Sequence, residues 1–292
     1  MFEALLLALA GGLAIAVQNL IIKAGQRAGV RDLQLMTVIS VVAALVLLGV
    51  TLGRGLAGGE NGLGLLPLRA IGLAVGMGVC FALTMVCALR AMAHGSLALT
   101  FVMLNLGSAV PILLVWQFIA KDRPSVMQMP GLLAFIGSII LIAWPRKKEA
   151  SSAKPLGWWL FAVGCLLANG MFLFGYRLME HVGYNHLNDT IQVVVFGLAG
   201  GGFALLSRFL VPSGGWGKAL RYGLPGGALF AGGIGLFAYA DAAHTGIRYS
   251  LFGAAIIVGT TLGAMLFFSE RIGHLTKIGI GLAILAVALM SG

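Results

Sequence analysis

Long apolar segments take up most of this chain and limit what it can fold into. Ten of them contain the about 17–25 mostly apolar residues that a membrane-spanning helix needs. A bilayer admits only helices and closed barrels, because every backbone N–H and C=O inside it must be paired within the protein. The sequence therefore predicts an all-α membrane protein with ten transmembrane helices. The segments are roughly 4–22, 33–53, 68–92, 97–119, 127–144, 156–178, 188–210, 218–241, 248–268 and 273–291.

The composition excludes a soluble globular domain. Hydrophobic residues make up 60% of the chain and charged residues 10%, so the polar groups needed to cover a soluble surface are missing. The net charge is +10, but the basic residues flank apolar segments, so we expect the lipid bilayer and no nucleic acid as a partner. Cys80, Cys87 and Cys165 lie within apolar segments, which favours packing over disulfides or a metal site. We expect no metal and no cofactor.

The end of the chain repeats a pattern found in its first half. In each copy an apolar segment runs into an acid, and a glycine that opens the next segment follows nine residues later: Asp122 and Gly131, then Glu270 and Gly279. Just upstream of the two copies, the octets ALRAMAHG and AYADAAHT match at three positions. Together with the hydropathy, these features indicate an internal duplication of a membrane unit.

The duplication divides the chain into two repeats. Residues 1–145 form the first five-helix repeat, 146–155 a linker and 156–292 the second repeat. Because five is odd, the second repeat enters the membrane from the opposite side, so the repeats are inverted. Carriers commonly have this architecture, in which two equivalent arrangements expose a central site to each side in turn.

Glycine spacing predicts close packing between helices. Pairs four residues apart place two glycines on one helix face, where neighbouring backbones can approach. Such pairs are Gly72/Gly76, Gly197/Gly201 and Gly259/Gly263.

These features together resemble a known family. The ten helices, the short hairpins and the acid nine residues before a glycine look like the drug/metabolite transporter superfamily of the EamA type. The likeness is clearest in FFSERIGHLTKIGIGLAILAVAL at 267–289, while Lys121-Asp122 departs from the usual glycine-glutamate. The resemblance implies a transporter and places helices one, four, six and nine around a central cavity. The superfamily carries amino acids, drugs, sugars and nucleotide sugars, so no cargo is named.

Polar and aromatic side chains deep within the spans are the candidate substrate-binding residues. An amide in hydrocarbon needs a partner, which a neighbouring helix supplies as often as a ligand does, and deep rings can equally fill the core. Because the polar residues fall on the helices that the resemblance places around the cavity, we expect them to share one site. The candidates are Gln18, Asn19, Asn105, Ser108, Asn169, Thr260, Thr261, Phe81, Phe101 and Phe172.

One acid stands out as a candidate for gating or coupling. Asp241 ends the eighth span, and His244 and Arg248 follow closely enough to pair with it. The alternative is an interfacial ion pair that closes a hairpin. We assign Glu270 to a hairpin at the membrane surface, so we expect loss of charge at Asp241 to impair transport more.

The sequence favours a secondary carrier over an enzyme. We expect a multi-pass protein of a bacterial inner membrane that moves a small organic solute by alternating access, as a monomer or weak homodimer. The sequence contains no Walker-type phosphate-binding loop that would indicate ATP hydrolysis. Its histidines lack the spacing of a zinc-protease site. The alternatives are a lipid-carrier flippase of the same fold and, less favoured, a membrane-embedded enzyme.

Charge distribution predicts the orientation. The joints after helices one, three, five, seven and nine hold 13 of the 19 basic residues, and the other side holds 6. Short basic loops stay in the cytoplasm, so we expect both termini outside, although the resemblance implies termini inside. A reporter that is active only in the cytoplasm, fused after Gly292, should give no signal; a strong signal would show that the orientation usual for the family overrides the charges.

Overall fold

The computed structural model of the protein describes most of the chain as helix. The described residues are 2–56, 66–107, 110, 114, 128–143, 156–184, 187–211, 214–239, 245–270 and 272–291, and they contain no β-strand. Ten helices lie within these ranges: α1 Phe2–Arg27, α2 Asp32–Leu56, α3 Leu68–His94, α4 Leu97–Leu106, α5 Gln128–Ala143, α6 Leu156–Val182, α7 Asn188–Leu210, α8 Trp216–Tyr239, α9 Thr245–Phe268 and α10 His274–Ser291.

The apolar helices confirm a membrane protein. Among the described residues, six helices are long and apolar enough to cross a bilayer: α1, α2, α3, α6, α7 and α9. Large apolar side chains such as Leu160 and Leu266 point outward and are 69% and 76% exposed. An outer surface of this kind suits lipid, which is as apolar as leucine. The protein is therefore an all-helical, multi-pass membrane protein.

The helix contacts divide eight helices into two groups. In the first group, α1 packs against α8 and α9, and α2 packs against α8. In the second group, α6 packs against α3 and α4, and α7 packs against α3. The groups meet where α2 packs on α7 and α4 on α9, while α5 pairs with α10. Each group therefore mixes helices from both halves of the chain. We call them the α1 group and the α6 group.

Short joints turn the chain between helices. After α1, Gly29 has φ of +75°, a left-handed conformation that glycine adopts without steric cost. After α9, Ser269 has φ of +55°, and it is the one non-glycine residue with positive φ in the described part of the chain. A side chain at such an angle costs about 1–2 kcal/mol, so surrounding contacts must hold this turn in place.

Close packing at glycines occurs at some of the predicted positions and not at others. A Cβ on Gly263 would lie 2.4 Å from a methyl carbon of Leu20, and one on Gly259 would lie 2.8 Å from Ala16. The same prediction is wrong for the other two pairs, since a Cβ there would meet no described atom within 4 Å. Those pairs, Gly72/Gly76 and Gly197/Gly201, have the same spacing on their helices, but no helix in the described part of the chain lies against that face.

Substituting glycines of the two kinds should separate packing from helix propensity. A Cβ at Gly12 would lie 2.6 Å from both the Phe252 carbonyl oxygen and the Ala255 Cβ, so Gly12→Ala should destabilise the protein by about 1–3 kcal/mol. Gly76→Ala, which adds a methyl group in open space, should leave stability unchanged or slightly raised. Thermal unfolding in detergent measures both; equal midpoints for the two variants would contradict the close approach of α1 and α9.

Candidate functional site

An amide of α1 is bonded to a hydroxyl of α9 in the interior. The Asn19 side chain is 2% exposed, and its Nδ2 donates to Oγ1 of Thr260 at 3.2 Å. Thr260 is fully buried, and Gln18 beside Asn19 is buried as well. Close approach at Gly12 brings the two helices near enough for this bond. In this conformation Asn19 therefore has a helix partner within the α1 group.

A second amide has a similar place in the α6 group. Nδ2 of Asn169, on α6, donates to the Leu104 carbonyl oxygen of α4 at 2.9 Å. Asn105, the next residue on α4, instead donates to the Phe101 carbonyl oxygen of its own helix at 2.7 Å. A Cβ on Gly107 would lie 2.7 Å from the Leu166 carbonyl oxygen, so the backbones of α4 and α6 nearly touch here.

The two interhelical amides occupy matching positions in the sequence. Asn19 and Asn169 are 150 residues apart, the same offset that aligns His94 with His244 in the repeated octets. Each bonds to a helix from the other half of the chain, Asn19 to α9 and Asn169 to α4. Both residues are predicted site residues because they lie deep within their spans. The 150-residue spacing between them further indicates that they are equivalent.

Four phenylalanine rings meet at the junction of the two helix groups. Phe81 of α3 lies 5.6 Å from Phe172 of α6 and 4.9 Å from Phe196 of α7, measured between ring centroids. Phe230 of α8 completes the cluster, 5.7 Å from Phe81 and 5.1 Å from Phe196. All four are buried, and Phe101 of α4 belongs to the same apolar core. Here the rings pack on one another across the two groups.

The remaining candidates have other positions. Thr261 Oγ1 is buried and has no hydrogen-bond partner among the described residues. Ser108, Asp241 and His244 lie outside the described residues, and Arg248 lies on α9 with only its backbone described. The predicted gating group around Asp241 therefore remains a prediction from the sequence.

The carboxylate of Glu270, which the sequence predicts at a surface hairpin, caps the start of α4. Oε2 of Glu270 accepts from the Ser96 hydroxyl at 2.6 Å and from the Ala98 N–H at 3.4 Å, and Oε1 accepts from the Leu97 N–H at 2.9 Å. The Ser96 Oγ in turn accepts from the Leu99 N–H at 3.3 Å. The first turn of a helix has N–H groups without helical partners and a positive dipole end, so it attracts a carboxylate.

The end of α1 binds the end of α3 nearby. The Lys23 ammonium donates to the Met92 carbonyl oxygen at 2.6 Å. Nε2 of Gln26 donates to the Leu89 carbonyl oxygen at 3.2 Å and to Oδ1 of Asp32 at 3.0 Å. The last carbonyl groups of a helix lack helical donors and form its negative end, so cations and amides suit them.

The end of α1 also binds the end of α9. Arg27 donates to the Phe268 carbonyl oxygen at 3.2 Å, and its guanidinium carbon lies 4.6 Å from the centroid of that ring. Lys23 lies within electrostatic reach of Glu270. A pocket of about 280 Å³ opens between the ends of α1 and α3 and the start of α2. We call Lys23, Gln26, Arg27, Ser96 and Glu270 the Glu270 cluster.

A different contact joins the helix groups near the other end of α2. Nη1 of Arg54 lies 2.6 Å from Oδ2 of Asp189, and both side chains are about a quarter to a third exposed. Arg54 follows Asp32 by 22 residues on α2, a rise of about 33 Å. That length matches the hydrocarbon thickness of a bilayer, so the ion pair and the Glu270 cluster lie on opposite sides.

Comparison with known proteins supports the fold. No family model and no curated protein matches the sequence. Solved structures do match, among them a crystal structure that aligns over 99% of this chain and 95% of its own chain, with a TM-score of 0.59 and 16% identity. At that identity the likeness concerns the fold alone, and it extends over the whole chain.

A double-mutant cycle should detect the α1–α9 bond. Asn19→Ala and Thr260→Val each remove one partner, so their effects on the free energy of unfolding should be coupled by about 0.6 kcal/mol, the average for hydrogen bonds between membrane helices, and by about 1.7 kcal/mol at most. The side chain of Asn105 bonds within its own helix, so Asn19→Ala with Asn105→Ala should be additive. Unfolding titrations in mixed micelles give the energies; additivity in both cycles would contradict the bond.

Proposed function

We propose that the protein is a secondary transporter with ten spans in two inverted five-helix repeats, and that it moves a small organic metabolite or drug across a bacterial inner membrane by alternating access. The resemblance to the EamA-type drug/metabolite transporters motivates the proposal, and the helix contacts support it.

The observation that carries the proposal is the exchange relation among the helices. Replacing each helix by the one five places along converts one set of contacts into the other: α1–α8 becomes α6–α3, α1–α9 becomes α6–α4, and α2–α8 becomes α7–α3. The pairs α2–α7, α4–α9 and α5–α10 are converted into themselves. Inverted repeats about a two-fold axis in the membrane plane would give this pattern.

The two helix groups are suited to alternating access. Each is held together by close glycine packing and an amide bond, Asn19 to Thr260 in one and Asn169 to the Leu104 carbonyl in the other. They face each other through side-chain contacts, including the ring of Phe230 against Phe81, and through the close packing of α2 on α7 at Gly200. Rocking of one group against the other would open this junction to either side of the membrane while each group stays intact.

The proposed substrate site lies at this junction. Parting of the rings would expose aromatic faces for an apolar or aromatic part of a solute. The polar candidates would supply amide and hydroxyl groups, and a buried hydroxyl such as that of Thr261, which has no hydrogen-bond partner among the described residues, would gain one when a ligand binds. A site with mostly apolar walls and a few polar groups is typical for small molecules.

The proposed transport function is tested first by ligand binding and then by transport into liposomes. A thermal-shift screen of metabolites on the purified protein should give compounds that raise its unfolding temperature. Liposomes that contain the protein and no ATP should then take up such a compound saturably and show counterflow. Phe230→Ala should reduce uptake about tenfold, and Leu266→Ala, a change at an exposed leucine, should not.

Other outcomes identify the alternatives. Binding without flux in any direction would contradict a carrier. Faster exchange of a labelled lipid between leaflets would indicate a flippase, and conversion of a lipid-soluble substrate in detergent would indicate an enzyme.

A further inference from the structure

We propose that Glu270 is the latch of the gate at its end of the bundle: its carboxylate on the first turn of α4 holds that end closed, and its release accompanies opening. The inference rests on the proposed alternating access and assigns a mechanical role to a residue outside the predicted substrate and gating sets.

The contact crosses between the two moving units. Glu270 lies two residues after the end of α9 of the α1 group, and its three donors are the N-cap Ser96 and the first two residues of α4 in the α6 group. Lys23 on α1 and Met92 on α3 make a second crossing contact at the same end. Opening this end separates both pairs, so both contacts break in the rocking motion that opens this end.

Breaking the latch exposes groups that have no other partner in their helix. The N–H groups of Leu97 and Ala98 belong to the first turn, where helical acceptors are missing, and the Ser96 hydroxyl already caps Leu99. Hydrogen bonds to an ionised carboxylate are shorter and stronger than neutral ones. The α4 terminus therefore returns to Glu270 unless water or another acceptor replaces it, which biases this end toward the closed state.

The backbone conformation at Ser269 fixes the direction of the Glu270 side chain. Ser269 has the left-handed φ of +55°, and the N–H of Glu270 donates to the Ala264 carbonyl oxygen at 3.2 Å. Backbone strain of this kind is typical of switches and clamps, where surrounding contacts maintain it. Arg27 bonds the end of α9 at Phe268, so α1, α9 and the acid move together.

Cysteine labelling from the water phase tests the latch. In a background with the three native cysteines replaced by alanine, a Thr100→Cys reporter lies one turn inside the cap, and a Thr190→Cys reporter lies beside the Arg54–Asp189 ion pair; both threonines are buried. With an impermeant maleimide, Glu270→Ala should label the first reporter about tenfold faster and the second no faster, because a population shift opens one end only.

A matched charge loss at the other end is the control. Asp189→Asn removes the acid of the opposite contact, so it should not speed labelling of the Thr100→Cys reporter. Ser96→Ala should also speed that labelling, and should add nothing in a Glu270→Ala protein if both act through one bond. If Glu270→Ala does not fold, Glu270→Gln and Ser96→Ala carry the same test.

The outcomes decide the proposal separately from transport. Faster labelling at both reporters with a lower unfolding temperature would show that Glu270 only stabilises the fold, and unchanged labelling at both would show that it holds nothing closed. Either result overturns the latch even if the liposomes transport a solute. One-sided labelling supports the latch even if no transported compound is found.

Discussion

The ends of the helices, more than their apolar faces, determine how this bundle is held together. A helix satisfies its own backbone except in its first and last turns, whose free N–H and C=O groups bind water or other parts of the protein. Here the partners come from other helices. Glu270 binds the start of α4, Lys23 binds the end of α3, Arg27 binds the end of α9, and Asn169 binds a carbonyl near the end of α4. Each such bond fixes one helix end relative to another element, whereas leucine contacts with a neighbouring helix and with lipid are nearly equivalent.

Two kinds of contact therefore have different mechanical roles. Within each helix group, glycines such as Gly12 and Gly107 bring backbones so close that no side chain could intervene. Between the groups, some contacts are side chains that can part: rings in the middle, a carboxylate cap at one end, and the Arg54–Asp189 pair at the other. The packing of α2 on α7 also joins the groups, and there a Cβ on Gly200 would lie 3.1 Å from the Val41 backbone nitrogen. Under the proposed rocking mechanism, the side-chain contacts are the ones that part.

Hydropathy was sufficient to predict most of the helices. The predicted segment 188–210 coincides with α7, and the spans predicted at 156–178 and 68–92 fall within α6 and α3. These predictions succeed because the length of an apolar segment depends only on consecutive residues. The partners of helix ends are not local. Glu270 and Ser96 are 174 residues apart, and an acid after an apolar segment has the same sequence pattern whether it faces water or caps another helix.

Glycine spacing also predicts a local feature without identifying its tertiary partner. Gly72/Gly76 and Gly259/Gly263 are equivalent as patterns, yet among the residues that the structure describes only the second pair has close neighbours on another helix. A four-residue spacing tells which face is small but not what packs there. The 150-residue offset between Asn19 and Asn169 does coincide with a shared tertiary feature, since each amide bonds to a helix from the other half of the chain.

The packing of α1 has a consequence for how the protein is made. Its neighbours, α8 and α9, belong to the last third of the chain, and α8 begins about 190 residues after α1 ends. At the usual rate of synthesis the ribosome needs about 10–40 s to produce that length. During this interval α1 lacks its permanent neighbours, and its amides Gln18 and Asn19, which are buried in the folded protein, need other hydrogen-bond partners. Although α1 precedes the other described helices in the chain, it is thus among the last of them to reach its native contacts, and any factor that guides biogenesis of this protein has to recognise a waiting helix rather than a folded half.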